Sequence, residues 1–231
     1  MVLPQDDKNR YENSPKMSDW KTYFEKSDRN IFKQCLSARR LIEIIIDTIP
    51  KGGRVLEAGC GTALLSLLLA DYGYDVTALD LTDGIIDYAK KRICVDKVKL
   101  NIIRGDIFKL SSLFEERYFD VVCNSGVMEH FSDEEIVRGL AEQKKVSKMV
   151  IFNVPNNHNV LTEGHFGDER FLSNKKWVSL IKNAGFKSVN VYGGYYVTRP
   201  AYLLPSIVFK HGFYFDFLWK CFSRHSVFVC E

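Results

Sequence analysis

From residue 54 to residue 154 short apolar runs alternate with stretches whose apolar positions recur at helical spacing. The alternation predicts strands at 54–58, 74–80, 98–104, 118–124 and 147–154, with helices at 62–72, 82–93 and 133–145 between them and a short irregular piece at 108–117. Ahead of this block, Ile31, Cys35, Ala38, Leu41, Ile42 and Ile45 share one face of a helix over 31–49, which Pro50 and Gly52-Gly53 stop. A regular strand–helix rhythm predicts a parallel sheet covered on both faces and built from right-handed crossovers. Beyond residue 154 the rhythm changes. A polar loop over 155–172 leads to a helix from Asn174 to Ala184 ended by Gly185, a strand from Phe186 to Tyr192 and a last short strand from Ser226 to Cys230. Between those two strands lies an aromatic-rich insertion at 195–222, and residues 1–19 are polar enough to predict a mobile tail.

The first strand of the block runs directly into Glu57-Ala58-Gly59-Cys60-Gly61-Thr62-Ala63. Glycine is demanded where a strand turns sharply into a helix and where a ligand must approach bare main chain. Asp80 closes the next strand twenty-one positions after Gly59, where a carboxylate can accept the hydroxyls of a ribose. Two details limit the nucleotide. The small residue that follows the glycines is Ala63 rather than position 64, which is Leu64, so the dinucleotide pattern is incomplete. Glu57 would moreover repel a pyrophosphate at the helix N-terminus and suits a ligand that carries positive charge.

Composition narrows the class further. The chain has 231 residues, 46% hydrophobic and 26% charged, the balance of an ordinary globular protein with one sizeable core. A net charge of +3 gives no basic face for duplex nucleic acid. The six cysteines form no Cys-x-x-Cys pair and have no histidine at ligand spacing, so neither a metal site nor a disulfide framework is expected. With a polar N-terminal stretch and no run long enough to span a bilayer, the expected location is the reducing cytoplasm.

Glu-x-Gly-x-Gly-x-Ala followed by an acid at the end of the second strand resembles the first motif of class I S-adenosylmethionine-dependent methyltransferases, within them the small-molecule enzymes of the quinone-biosynthesis type. The likeness covers roughly residues 30–192 and is carried by further signals in order: Gly105-Asp106-Ile107 after strand three, and the segment from Phe119 to Phe131 around strand four. It implies a Rossmann-like fold, a mostly parallel seven-stranded sheet with helices on both faces, in which a last strand inserts antiparallel between strands five and six. It also implies one domain over 20–231, with a cofactor half at about 50–154 and acceptor-side loops and insertion at about 155–225. On this resemblance S-adenosyl-L-methionine is the cofactor. Glu57 reaches its ammonium, Gly59, Cys60 and Gly61 lie against its amino-acid part, Asp80 takes the ribose and Leu81 packs on the adenine. Asp106 and the Ile107 N–H read the base edge, Asn124 and Ser125 lie in the crevice, and Tyr23 belongs to a segment, with Trp20 and Phe24, that covers the cofactor or simply anchors on the core.

The expected reaction is methyl transfer to a small-molecule acceptor, oxygen first and nitrogen next. Strand four lacks the Asn/Asp-Pro-Pro-Tyr/Phe of enzymes that methylate base amines, and Cys123 reads as a core residue. Methyl transfer asks the protein for alignment and, with a hydroxyl acceptor, for a base. His165, in the polar loop between two glycines, and His130, just after strand four, are the candidate bases. His158 is weaker. His130 reads also as structural, because Ser132 and Glu135 form a capping box beside it, and the His165 loop reads also as a surface loop held by Asp168, Glu169 and Arg170. The 195–222 insertion suggests a pocket wall, a satellite core or a membrane-facing surface. Two other functions fit less of the pattern: a non-catalytic S-adenosylmethionine-binding partner, and an NAD-linked oxidoreductase, which Glu57 and Leu64 disfavour.

Overall fold

The computed structural model describes residues 31–92, 98–157, 169–194, 223 and 225–231. Its elements in chain order are α1 (Ile31–Thr48), β1 (Arg54–Ala58), α2 (Leu64–Tyr72), β2 (Asp75–Asp80), α3 (Asp83–Arg92), β3 (Leu100–Arg104), β4 (Phe119–Ser125), α4 (Asp133–Val146), β5 (Ser147–Pro155), α5 (Asn174–Asn183), β6 (Val189–Gly193) and β7 (His225–Cys230). Two 3₁₀ turns, Leu110–Ser112 and Met128–His130, lie in the connections before and after β4.

The strands form one seven-stranded sheet in the order β3-β2-β1-β4-β5-β7-β6. The β3-β2-β1-β4-β5 ladder is parallel, and β7 runs antiparallel to both β5 and β6. That is the fold the resemblance implies, including the insertion of the last strand. Strands β1 and β4 are buried throughout or nearly so because both faces are covered. On one face Val55, Val76, Val121, Ile151 and Val229 pack under α1 and α2, with Ala78, Ile86, Ala89 and Ile102 continuing the layer beneath α3. On the other, Leu56, Val122, Phe152 and Phe228 meet α4 and α5 through Ile136, Leu140 and the fully buried Trp177. The Trp177 ring lies 5.7 Å from Phe152, which stacks at 5.1 Å on Phe228. The order in which strands are added reverses between β1 and β4, so the crevice above their carboxyl ends is the switch point where open α/β sheets take ligands.

Three starts depart from the periodicity by two residues or more. Helix α2 starts at Leu64 rather than 62 because Ala63 adopts a left-handed conformation (φ 56°) and completes the glycine turn. Strand β3 starts at Leu100 rather than 98. Strand β6 starts at Val189 rather than Phe186: Gly185 turns the chain at φ +91°, Phe186 is buried, and the Lys187 and Ser188 N–H groups both donate to the Glu231 carbonyl, at 2.8 and 3.0 Å. The expected tail at 1–19 and the 195–222 insertion lie outside the described residues.

Candidate active site at the carboxyl edge of the sheet

The glycine turn is fixed by its neighbours as much as by its own composition. Gly59 has φ +84° and Gly61 φ +50°, and a Cβ on Gly59 would stand 2.9 Å from Val127, a residue of the connection after β4. The Gly59 and Cys60 N–H groups both donate to the Leu79 carbonyl, at 2.7 and 2.9 Å, while the Gly61 N–H donates to Asp80 Oδ2 at 3.0 Å. The other Asp80 oxygen accepts the Thr82 N–H at 3.0 Å, and the Asp80 carbonyl accepts the Gly105 N–H at 2.9 Å. One carboxylate at the end of β2 thus ties the β1 turn to its own, and the peptide behind it leads to Asp106.

Glu57, at the end of β1, is buried, and its Oε2 accepts both the Ser66 N–H at 2.9 Å and the Ser66 hydroxyl. The helix it meets has Ala63 at its N-cap, with no side-chain oxygen to offer. Glu57 therefore does from the strand what an N-cap side chain does locally: it satisfies a free N–H of the first turn and sets negative charge at the positive end of the helix. Burial pushes the Glu57 carboxyl up to about 8, only partly opposed by the two Ser66 bonds and reinforced by nearby Asp80. Burial likewise raises Asp80 against the pull of its backbone donors. Two buried acids whose ionised forms are penalised by burial define what the crevice is built to receive: a positively charged group and a set of hydroxyl donors, with no phosphate. The residues present therefore fit S-adenosylmethionine. The Cys60 and Cys123 thiols are raised well above their ordinary range by burial, helped by Glu57, so neither is a nucleophile at neutral pH.

Around the third strand, Asp106 is buried and its Oδ1 accepts the Phe108 N–H at 2.9 Å, while Ile107 sends its side chain into the core on the α4 face, leaving only main chain to face outward. Leu81 is half-buried beside them, its carbonyl taking the Arg104 Nε–H at 3.2 Å. The β4 pair divides. Ser125 stays at the edge, half-buried, with the Asn153 Nδ2 at 3.4 Å from its hydroxyl. Asn124 alternates to the other face, where it is fully buried and donates to Gln143 Oε1 at 3.0 Å, so its side chain belongs to the α4 packing and not to the crevice. His130 ends the 3₁₀ turn half-buried, and the capping box expected beside it is present, Ser132 and Glu135 bonding reciprocally at 3.3 and 3.0 Å. His165, His158, Tyr23, Trp20 and Phe24 lie outside the described residues.

Three contributors carry no sequence signal of their own: Ser66 matters only through Glu57, Val127 only through Gly59, and Asn153 only through its register with Ser125. Arg170, expected to hold its own loop, instead fixes the chain before α5 to the turn after β4: its N–H donates to the Glu129 carbonyl at 3.0 Å, its guanidinium donates to the Phe131 carbonyl and pairs with Asp133, both at 2.6 Å.

Fold, glycine turn and acidic edge together define a class I S-adenosylmethionine-dependent methyltransferase. Residues 55–149, from the start of β1 into β5, match the family described as a methyltransferase domain. Among named relatives, the ubiquinone biosynthesis O-methyltransferase of Coxiella burnetii (strain RSA 493 / Nine Mile phase I) is 25% identical over 162 residues, 63% of this chain and 68% of its own. The malonyl-[acyl-carrier protein] O-methyltransferase of Priestia megaterium is 34% identical over 106 residues, 45% of this chain and 37% of its own. The crystal structure of magnesium protoporphyrin IX methyltransferase from Synechocystis PCC 6803 with bound S-adenosylmethionine superposes with a TM-score of 0.62 at 16% identity, covering 100% of this chain and 99% of that one. A Thermotoga maritima S-adenosylmethionine-dependent methyltransferase gives 0.64 at 15% identity over 92% and 98% of the two chains. The chain is thus an enzyme of methyl transfer, and S-adenosylmethionine is its cofactor.

Proposed function

We propose that this enzyme transfers the methyl group to a hydroxyl oxygen of a small molecule in the cytoplasm. The observation that carries the cofactor side is the row of acids at the ends of β1, β2 and β3, two of them with burial raising their carboxyls above the ordinary range; the O-methyltransferases among the relatives support oxygen as the target. When bound, S-adenosylmethionine supplies an electrophilic methyl on a sulfonium whose departure needs no acid. Glu57 receives the ammonium in exchange for its own proton. Gly59, Cys60 and Gly61 offer close main chain, Asp80 accepts the ribose hydroxyls, Leu81 covers the adenine, and Asp106 with the Ile107 N–H takes its edge. Ser125 borders the acceptor side, whereas Asn124 contributes there through main chain alone.

A hydroxyl acceptor must lose its proton, and His165 is the base of this reading, with His130 the second choice. Among the described residues no helix is long and apolar enough to cross a membrane. The deciding experiment supplies methyl-labelled cofactor with a fractionated small-molecule extract and analyses the labelled products. A methyl ether is expected; a labelled N-methyl product would move the assignment to nitrogen, and no labelled product would refute small-molecule transfer.

A further inference from the structure

The register of the sheet sets a polar pair on the acceptor side that the cofactor does not account for. Glu57 lies level with Cys123 of β4, and Cys123 level with Ile151 of β5. Two residues further toward the carboxyl edge, on the same face because strand side chains alternate, stand Ser125 and Asn153, themselves paired across β4 and β5. Sheet order runs from the adenosine end at β3 and β2 through Glu57 at β1, so the next strands, β4 and β5, lie beyond the amino-acid end of the cofactor, roughly 5 and 10 Å from β1 at ordinary strand spacing. This placement rests on the proposed binding mode of S-adenosylmethionine.

Asn153 is 96% buried, since 4% of its surface remains accessible, and its amide is only half satisfied. Its nitrogen sits 3.4 Å from the Ser37 carbonyl of α1 and 3.4 Å from the Ser125 hydroxyl, both long for such bonds. Because a backbone carbonyl can only accept, the atom facing Ser37 must be the Nδ2 donor, which leaves Oδ1 on the other side. Among the described residues Oδ1 has no hydrogen-bond partner. A buried carbonyl oxygen without a donor is a standing cost to the fold, and in native proteins such atoms call for an explanation.

We propose that Asn153, with Ser125 beside it, anchors the methyl acceptor: Asn153 Oδ1 receives a hydrogen bond from an O–H or N–H of that molecule. The requirement selects a class of acceptor. An alcohol, phenol or amine brings the missing proton, whereas an ionised carboxylate brings only more oxygen lone pairs and is rejected. Ser125, whose oxygen accepts from Asn153, keeps its own proton to donate, so the pair matches a group that both gives and takes a hydrogen bond, as a hydroxyl does.

The test compares wild type with Asn153→Leu and Asn153→Asp. Three readouts are taken on each: the melting temperature, the affinity for S-adenosylhomocysteine by calorimetry, and label transfer from methyl-labelled cofactor into a small-molecule extract. Leucine is close in shape and removes the unsatisfied oxygen, so Asn153→Leu should melt no lower than wild type and bind S-adenosylhomocysteine within about twofold. Its methyl transfer should fall by about tenfold or more, and the KM of the purified acceptor should rise. Asn153→Asp keeps an accepting oxygen but turns a second oxygen toward the Ser37 carbonyl, so it should melt lower than wild type and still transfer methyl faster than Asn153→Leu. Unchanged transfer by Asn153→Leu would overturn the proposal, as would loss of transfer in step with melting temperature or with S-adenosylhomocysteine affinity. If every labelled product of the wild type proves to be a carboxylate ester, the proposal is also refuted. A wild type that binds S-adenosylhomocysteine yet labels no small molecule would refute the underlying functional reading, and the anchor with it.

Discussion

Glu57 holds two roles that compete for one carboxylate, and pH separates them. Unfolded, its carboxyl titrates near 4.5; in the cofactor-free fold burial lifts it to about 8. The folded state therefore binds the proton more tightly, and between those pH values the Glu57 contribution to stability falls as pH rises. Glu57→Gln should flatten this part of the melting temperature against pH profile, read by calorimetry in the absence of ligand. Cofactor binding runs the other way. Pairing with the ammonium requires the ionised acid, so affinity for S-adenosylhomocysteine should increase from pH 6 toward 8 and release protons, by at most about tenfold per pH unit; calorimetry in buffers of different ionisation enthalpy measures that release. Asp80→Ala should weaken the same affinity by roughly 1–3 kcal/mol, the loss of a charged acceptor for buried hydroxyls; an unchanged dissociation constant would show that Asp80 serves the turn alone. For the base, His165→Ala should leave cofactor affinity intact and lower turnover on a hydroxyl acceptor by roughly 10²–10⁴. The parent rate should then rise with pH through the histidine range, since neutral imidazole accepts the proton. Near-normal turnover would pass the role to His130.

Helix α2 shows how an element can depend on a residue of another. With Ala63 at its N-cap, its first turn relies on Glu57, and Ser66 doubles that contact through main chain and hydroxyl. Ser66→Ala removes one of two bonds that oppose the burial of Glu57, so the pH dependence of S-adenosylhomocysteine affinity should move to higher pH with the fold intact; a profile identical to wild type would show that the hydroxyl does not govern Glu57. Periodicity in the sequence marks the strands and helices themselves to within a few residues, because each face of each element must bury its apolar side chains against a known kind of neighbour. Where an element begins is less visible. The left-handed Ala63 and the pinning of Lys187 and Ser188 to the Glu231 carbonyl are tertiary effects that no local pattern encodes. The glycine turn, Asp80 and Asp106 could be picked out because special backbone angles and acids at strand ends are rare. Asn153 could not, since an asparagine in an apolar strand carries no mark until its register with Ser125 is known. Asn124 misled for the complementary reason: adjacent residues at a strand end face opposite sides, and only one of the pair can line a crevice.

At the scale of the molecule, the carboxyl edge of the sheet concentrates acids while the chain as a whole carries a net charge of only +3. Selection among nucleotides thus falls to local desolvation. S-adenosylhomocysteine at 100 times its dissociation constant should add about 2.7 kcal/mol to stability and raise the melting temperature, while NAD at equal concentration should not; equal shifts would contradict the cation-seeking site. The position of β7 between β5 and β6 has a consequence during synthesis. Both neighbours leave the ribosome before the strand that joins them, so the nascent chain carries an open β5 edge and an unattached β6 until residues 225–230 emerge. Chains truncated before residue 225 should be captured by chaperones and cleaved readily by protease, and addition of residues 225–231 should make β5, β7 and β6 resistant together.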